Sequence, residues 1–142
     1  MLTAVSSRTV GSIAKCRTPM RMNTAAITAV LPALRQVPDN KWLQVAMIRM
    51  NHKGLIMDAE DYTAWETGNV PEVTQHVKEA RKAGMGVISM KLVGEGRFTN
   101  RDDRKAALKY AFQNAGVDSV TLGYKNTAEI DEAIENLNLA LA

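Results

Sequence analysis

From residue 24 onward, short apolar runs alternate with helical stretches, and this alternation constrains the fold more than any other feature of the sequence. The apolar runs lie at 25–30, 42–49, 87–90 and 119–122. Each is followed by helix-start signals or by apolar residues at helical spacing. Strands that are apolar on both faces and are each followed by a helix are typical of parallel sheets covered by helices. The sequence therefore predicts the order βαβαβαβα.

Proline, asparagine and threonine residues indicate where the helices begin. Pro32 suits the first turn of a short helix, and a second helix is expected over 71–83. Asn100 can cap a third helix over 101–114, and Thr127 is predicted to cap the last one. Two side-chain sets are assigned to helix faces. The core stripe of the last helix is predicted to be Ile130, Ile134, Leu137 and Leu141, and the exposed face of the third helix Arg101, Asp102, Asp103, Arg104 and Lys105.

Composition limits the function classes that are open to the chain. Its 142 residues suit one domain, and no apolar run approaches the length of a membrane helix, so no membrane partner is expected. The single Cys16 allows no intrachain disulfide, so we expect a cytoplasmic location. The net charge of +3 is small, which argues against nucleic acid as a partner.

The start of the chain differs from the rest in charge. No acidic residue precedes Asp39, and Arg8 and Lys15 are among the basic residues that do. An acid-free start of this kind resembles an organellar transit peptide, but Gly11 and Pro19 would interrupt a long amphipathic helix. We therefore divide the chain into a basic arm of unmatched origin, residues 1–24, and a βα domain, residues 25–142.

Several motifs in order along residues 31–142 resemble the carboxyl-terminal half of the aldo-keto reductases. GVISMKLVGEGR over 86–97 is similar to the seventh strand of that family and its loop. LGYKNTAEIDEAIENL over 122–137 is similar to the eighth strand, the cofactor loop and the closing helix. LPALR over 31–35 and RMNHKG over 49–54 resemble the fifth and sixth units. The resemblance implies an α/β fold that is half of a (β/α)8 TIM-type barrel, with about four βα units.

The resemblance also implies what the chain lacks. The family takes its catalytic Asp, Tyr, Lys and His from the first four units, which have no counterpart here. The tyrosines of this chain, Tyr62, Tyr110 and Tyr124, lie outside that catalytic motif. The chain is therefore not expected to be a functional reductase, and functional NADP binding is not expected. A half barrel would expose two strand edges, so we expect a homo-oligomer, a dimer or larger, to complete or cover it. A fragment that needs its missing half is the alternative.

Two loops at the predicted strand ends carry candidate phosphate ligands. Glycine allows backbone N–H groups to approach an oxyanion, and cations and a helix amino terminus add positive potential. The candidates are Gly94, Gly96, Arg97, Lys125 and Asn126. By resemblance, Lys125 and Asn126 would face the adenosine-ribose phosphate, and Glu135 and Asn136 the adenine. The alternative is a simple turn with two surface cations.

The long loop over 51–69 adds a candidate metal site. Imidazole and carboxylate groups are ligands for Mn, Zn or Mg, and a metal beside a phosphate site can activate water for phosphoester hydrolysis. The predicted metal ligands are His52, Asp58, Asp61 and Glu95, and the predicted catalytic residues are His52, Asp58 and Lys91. The sequence thus predicts a metal-dependent phosphodiesterase acting on small nucleotides, with cyclic nucleotides as the sharpest candidate. The alternatives are a strand-end histidine beside a solvated loop, and a non-catalytic nucleotide-binding or structural remnant of a reductase.

Overall fold

A computed structural model describes residues 2–5, 25–27, 30–61 and 68–142, with only the backbone described for the first two ranges. Cys16 and the basic residues of the arm lie outside these ranges, as does the 62–67 part of the long loop. The strands are β1 Leu2–Val5, β2 Ala25–Ile27, β3 Val45–Arg49, β4 Gly86–Met90 and β5 Ser119–Leu122. The α-helices are α1 Leu31–Gln36, α2 Val70–Lys82, α3 Arg101–Lys109 and α4 Thr127–Leu141. A π-helical segment, Tyr110–Ala115, continues α3, so the two together cover the helix predicted over 101–114.

The strands form one sheet in the order β1-β5-β4-β3-β2. At its centre, β3, β4 and β5 are parallel, with Val45 opposite Gly86 and Ile88 opposite Ser119. The three residues of β2 extend this sheet parallel to β3. At the other edge β1 pairs with β5 in the antiparallel direction, with Leu2 opposite Leu122.

The prediction of half a (β/α)8 barrel is wrong, although the α/β class is compatible with the structure. A half barrel would leave β5 with a free edge that a further parallel strand could extend. Here the antiparallel β1 occupies that edge along four residue pairs, from Leu2–Leu122 to Val5–Ser119. The result is a small mixed sheet around a three-stranded parallel centre. Completion of a barrel by a second copy therefore has no basis in this sheet, and self-association stays a prediction.

The fully buried residues of β3 and β4 lie on one face of the sheet, whereas all four residues of β5 are buried. Alternate residues of β3 and β4 are buried, among them Ile48 and Val87. Helix α2 contributes Val73, Val77 and Ala80, which are fully buried, as its apolar spacing predicts. Because α2 packs against this face of the sheet, the positions of the strand ends are fixed.

The helix starts agree with the sequence in three cases and differ in one, and the first agreement is Pro32 in the first turn of α1. The side chain of Asn100 accepts a hydrogen bond from the N–H of Asp102 at 2.7 Å, so the predicted cap of α3 is confirmed. Pro71 lies in the first turn of α2. The prediction that Thr127 caps α4 is wrong by one residue, because Asn126 is the cap and accepts from the N–H of Glu129 at 3.0 Å.

Helix α4 is rotated relative to the predicted stripe. Asn136 and Ala140 are buried, and Ala133 and Leu137 pack against the core, whereas Ile134 is 44% exposed. The side chains that α4 buries most deeply are thus a polar one, Asn136, and a small one, Ala140. The predicted burial of Ile134 is therefore wrong. None of the helices in the described ranges has the length and apolar character needed to cross a membrane.

Candidate functional site

A pocket of about 640 Å³ lies where β4 and β5 end, between the loops that follow these strands and helices α3 and α4. This volume is within the range of roughly 300–1,000 Å³ that is usual for small-molecule sites. Much of the wall is apolar and includes Leu92, Phe98, Leu108, Leu122 and Tyr124. Its charged lining residues are three cations and three anions: Lys91, Arg104, Lys125, Glu95, Glu129 and Glu132.

The loop after β4 has an unusual backbone. Lys91 and Glu95 have φ values of +62° and +55°, and Gly94 and Gly96 are also in the left-handed region. The N–H of Gly94 donates to the carbonyl oxygen of Lys91, and the N–H of Gly96 to that of Val93, each at 3.0 Å. These two amides close the turn and so do not project toward a ligand. The cations that this loop carries are Lys91 and Arg97.

The first such cation is already paired. The ammonium group of Lys91 donates a hydrogen bond to the carboxylate of Glu95. This hydrogen bond lowers the pKa of Glu95, and the charges of Arg97 and Arg49 lower it further. Glu95 therefore stays ionised and lies among several cations, one of which is the predicted phosphate ligand Arg97.

The loop after β5 meets the loop after β4, as the sequence predicts for a shared site. A Cβ placed on Gly96 would lie 4.0 Å from the Nζ atom of Lys125. The backbone N–H of Lys125 donates to the carboxylate of Glu129 at 2.8 Å. Asn126 and Glu129 thus cap this end of α4, and the ammonium group of Lys125 lines the pocket beside it.

Arg104 was expected on an exposed helix face, and this expectation is wrong. Its guanidinium group donates to both carboxylate oxygens of Glu132 at 2.7 Å. It also donates to the carbonyl oxygens of Phe98 at 3.0 Å and Thr99 at 2.7 Å. The pair lowers the pKa of Glu132 and raises that of Arg104. It ties α3, α4 and the loop after β4 into one wall of the pocket.

The two residues assigned to adenine by resemblance separate in the structure. Asn136 is buried and lines the pocket, with its amide nitrogen 3.4 Å from a carboxylate oxygen of Glu132. Glu135 forms an exposed ion pair with Arg101. Of these two, only Asn136 is placed to contact a ligand in this pocket.

The predicted metal ligands are dispersed. The Nε2 atom of His52 lies 3.9 Å from a carboxylate oxygen of Asp103, and its ring packs edge-on against Phe98. Burial lowers the pKa of His52, which favours the neutral imidazole. Asp58 is fully buried, Asp61 is exposed, and Glu95 belongs to the loop after β4. Within the described ranges no three His, Cys, Asp or Glu side chains form a group that could hold a metal ion. Metal binding stays a prediction from the sequence.

Sequence reasoning missed Asn51, which links the two strand ends. Its side-chain oxygen accepts from the N–H groups of Lys53 and Leu55, and its amide nitrogen donates to the carbonyl oxygens of Leu55 and Lys91. The residue is fully buried. The one available signal was a polar residue directly after an apolar strand, in the turn before Gly54.

Comparison of the chain with known protein families, curated proteins and solved structures finds no match. The resemblance to aldo-keto reductases therefore stays an interpretation of the sequence motifs.

Proposed function

We propose that this protein binds a small ligand with a flat, mainly apolar part and an anionic group, of the kind that an adenine nucleotide such as AMP represents. The observation that carries the proposal is the pocket of about 640 Å³ at the ends of β4 and β5, which combines apolar walls with Lys91 and Lys125. Ligand sites in proteins have this composition, a mostly apolar surface with a few placed polar groups.

The apolar part of the pocket suits a heteroaromatic ring. Phe98 and Tyr124 supply aromatic surface, and Leu92, Leu108 and Leu122 supply aliphatic surface. The side-chain amide of Asn136 lines the pocket, and it can donate to a ring nitrogen and accept from an exocyclic amino group. These features favour a base-like group over a purely ionic ligand.

The charges favour a ligand of low total charge. The three cations of the lining are matched by three carboxylates, so the lining has no net charge. A polyphosphate would meet Glu95 and Glu129 close to Lys91 and Lys125, which costs free energy through like-charge repulsion. A single phosphate or carboxylate group is the better match.

Binding is better supported than hydrolysis. Metal-assisted phosphodiester hydrolysis needs an activated water next to the phosphoryl group. His52, Asp58 and Asp61 are not among the residues that line the pocket. Glu95, the one predicted metal ligand that lines it, is paired with Lys91. A cytoplasmic location is part of the same proposal, and the single cysteine supports it.

The test is calorimetric titration of the purified full chain with AMP and with adenosine. Lys125→Met should weaken AMP binding by about tenfold through loss of a charge-assisted contact. Lys78→Met removes an exposed lysine from α2 and is the matched control, for which we expect unchanged affinity. Absence of AMP and adenosine binding at millimolar concentration, or equal losses in the two variants, would contradict the proposal.

A further inference from the structure

The carboxylate of Glu95 lies next to a lysine that lines the pocket. Lys91 and Glu95 both line the pocket, and their side chains are hydrogen-bonded to each other. The charges of Arg97 and Arg49 act on the same carboxylate. The Nζ atom of Lys125 approaches the neighbouring Gly96. Glu95 thus lies among cations of the loop after β4 and of β3, with Lys125 of the loop after β5 next to the neighbouring Gly96.

The backbone holds this pair in position. Lys91 and Glu95 have φ values of +62° and +55°, a region that residues other than glycine seldom adopt. The carbonyl oxygen of Lys91 accepts from the side-chain amide of Asn51 at 3.2 Å and from the N–H of Gly94 at 3.0 Å. These hydrogen bonds fix the backbone of Lys91 at the start of the loop, from which its side chain reaches Glu95.

We propose that Glu95 is an internal counter-ion that sets the charge selectivity of the pocket. An anionic group of a ligand competes with the Glu95 carboxylate for the ammonium group of Lys91, so the protein discriminates weakly between a phosphorylated ligand and its neutral analogue. This inference rests on the proposed ligand-binding function and adds the residue that controls which ligands within the class bind well. It assigns to Glu95 a specificity-determining role in place of the metal-binding role suggested by the sequence.

The test compares AMP and adenosine, which differ by the phosphate group alone. Glu95→Gln removes the charge while keeping the size of the side chain. The side chains of the ion pair are 30% and 46% exposed, so its loss should leave the fold stable. We expect the ratio of AMP affinity to adenosine affinity to rise by about tenfold in this variant at low ionic strength, because a competing like charge is removed. Asp131→Asn makes the same charge change at an exposed site on α4 and should leave the ratio unchanged.

A double-mutant cycle with Lys91→Met tests whether Lys91 is the cation for which the Glu95 carboxylate and the ligand phosphate compete. In the Lys91→Met background, Glu95→Gln should change the affinity ratio by less than about twofold, because the ammonium group for which the two anions compete is absent. An unchanged ratio in Glu95→Gln, with both ligands still bound, would overturn this inference and leave the proposed function intact. An equal rise in both backgrounds would also overturn it, since the effect would then be a general charge effect. Binding of neither ligand by the wild-type protein would overturn both proposals.

Discussion

The side-chain amide of Asn51 donates a hydrogen bond to the backbone carbonyl oxygen of Lys91, and so joins the end of β3 to the end of β4. Asn51 is fully buried, while the side chain of Lys91 reaches the pocket. One buried amide thereby supports the backbone conformation of a residue that lines the pocket. The distance between the two strand ends is set by this bond as well as by the sheet.

Replacement of Asn51 should lower the stability of the fold. Asn51→Leu is close in volume but leaves two N–H groups and two carbonyl oxygens without this partner. We expect the free energy of unfolding to fall by about 3 kcal/mol, as is usual when buried polar groups lose hydrogen bonds. Urea unfolding measures the change, with Asn138→Leu on the exposed side of α4 as the control. A loss no larger than that of the control would show that the Asn51 hydrogen bonds add little.

Arg104 and Arg101 form a matched pair on α3. Arg104→Met removes a bidentate ion pair and two hydrogen bonds to backbone carbonyls, and should lower the free energy of unfolding by about 2 kcal/mol. Arg101→Met removes an exposed ion pair whose side chains are 56% and 60% exposed. Exposed pairs contribute little, so we expect a change of at most about 0.5 kcal/mol. Thermal or urea unfolding of the two variants checks this, and equal effects would contradict it.

The contribution of the Arg104–Glu132 pair should depend on pH. Arg104 lowers the pKa of Glu132 below its ordinary value of 4.5. A carboxyl group with a lowered folded-state pKa stabilises the fold above the ordinary pKa, and this stability is lost as the pH falls through the folded-state pKa. The stability difference between wild type and Arg104→Met should therefore be largest near neutral pH and shrink below pH 4.5. Unfolding curves at several pH values measure it, and a constant difference would refute the assignment.

His52 should titrate below its ordinary value of 6.5, because burial disfavours the imidazolium form despite the nearby carboxylate of Asp103. The change of stability with pH follows from the difference in proton binding between the folded and unfolded chains. As the pH falls below 6.5, the unfolded chain takes up the proton more readily than the folded chain, so stability decreases on acidification. An NMR titration of the His52 ring gives the pKa directly. A value at or above 6.5 would contradict the burial argument.

Assays with small phosphodiesters, cyclic nucleotides included, separate binding from hydrolysis. We expect no turnover with added Mn, Zn or Mg, because the pocket lining does not include His52, Asp58 or Asp61. The control is the same assay after chelation and with His52→Ala. Turnover that metal restores and His52→Ala abolishes would establish the hydrolase that the sequence suggested, and a binding-only function would then be wrong.

Local sequence signals predicted the parts of the fold that depend on near neighbours. The spacing of Val73, Val77 and Ala80 gave the buried face of α2, and Asn100 gave the start of α3. These features depend on helical periodicity and on a capping side chain two residues from its donor. The meeting of the loops after β4 and β5 was also predicted, since the ends of adjacent parallel strands lie at one edge of a sheet.

Features set by distant residues could not be read from the sequence. The pairing of β1 with β5 places Leu2 opposite Leu122, and neither segment has a sequence feature that predicts the other as its partner. Arg104 and Glu132 are 28 residues apart, so a pattern of charges on α3 alone suggested a solvated face. The glycines of the loop after β4 suggested free amides, but the structure uses these amides to close the turn.

The antiparallel edge strand has a consequence for synthesis of the chain. Because β1 leaves the ribosome long before β5, the pairs from Leu2–Leu122 to Val5–Ser119 can form only after nearly all of the described sheet has been translated. Contacts between such distant segments are entropically slow to form. The parallel centre can therefore assemble first, and the pairing of β1 becomes a late step that turns a nascent sheet with an open edge into the finished one.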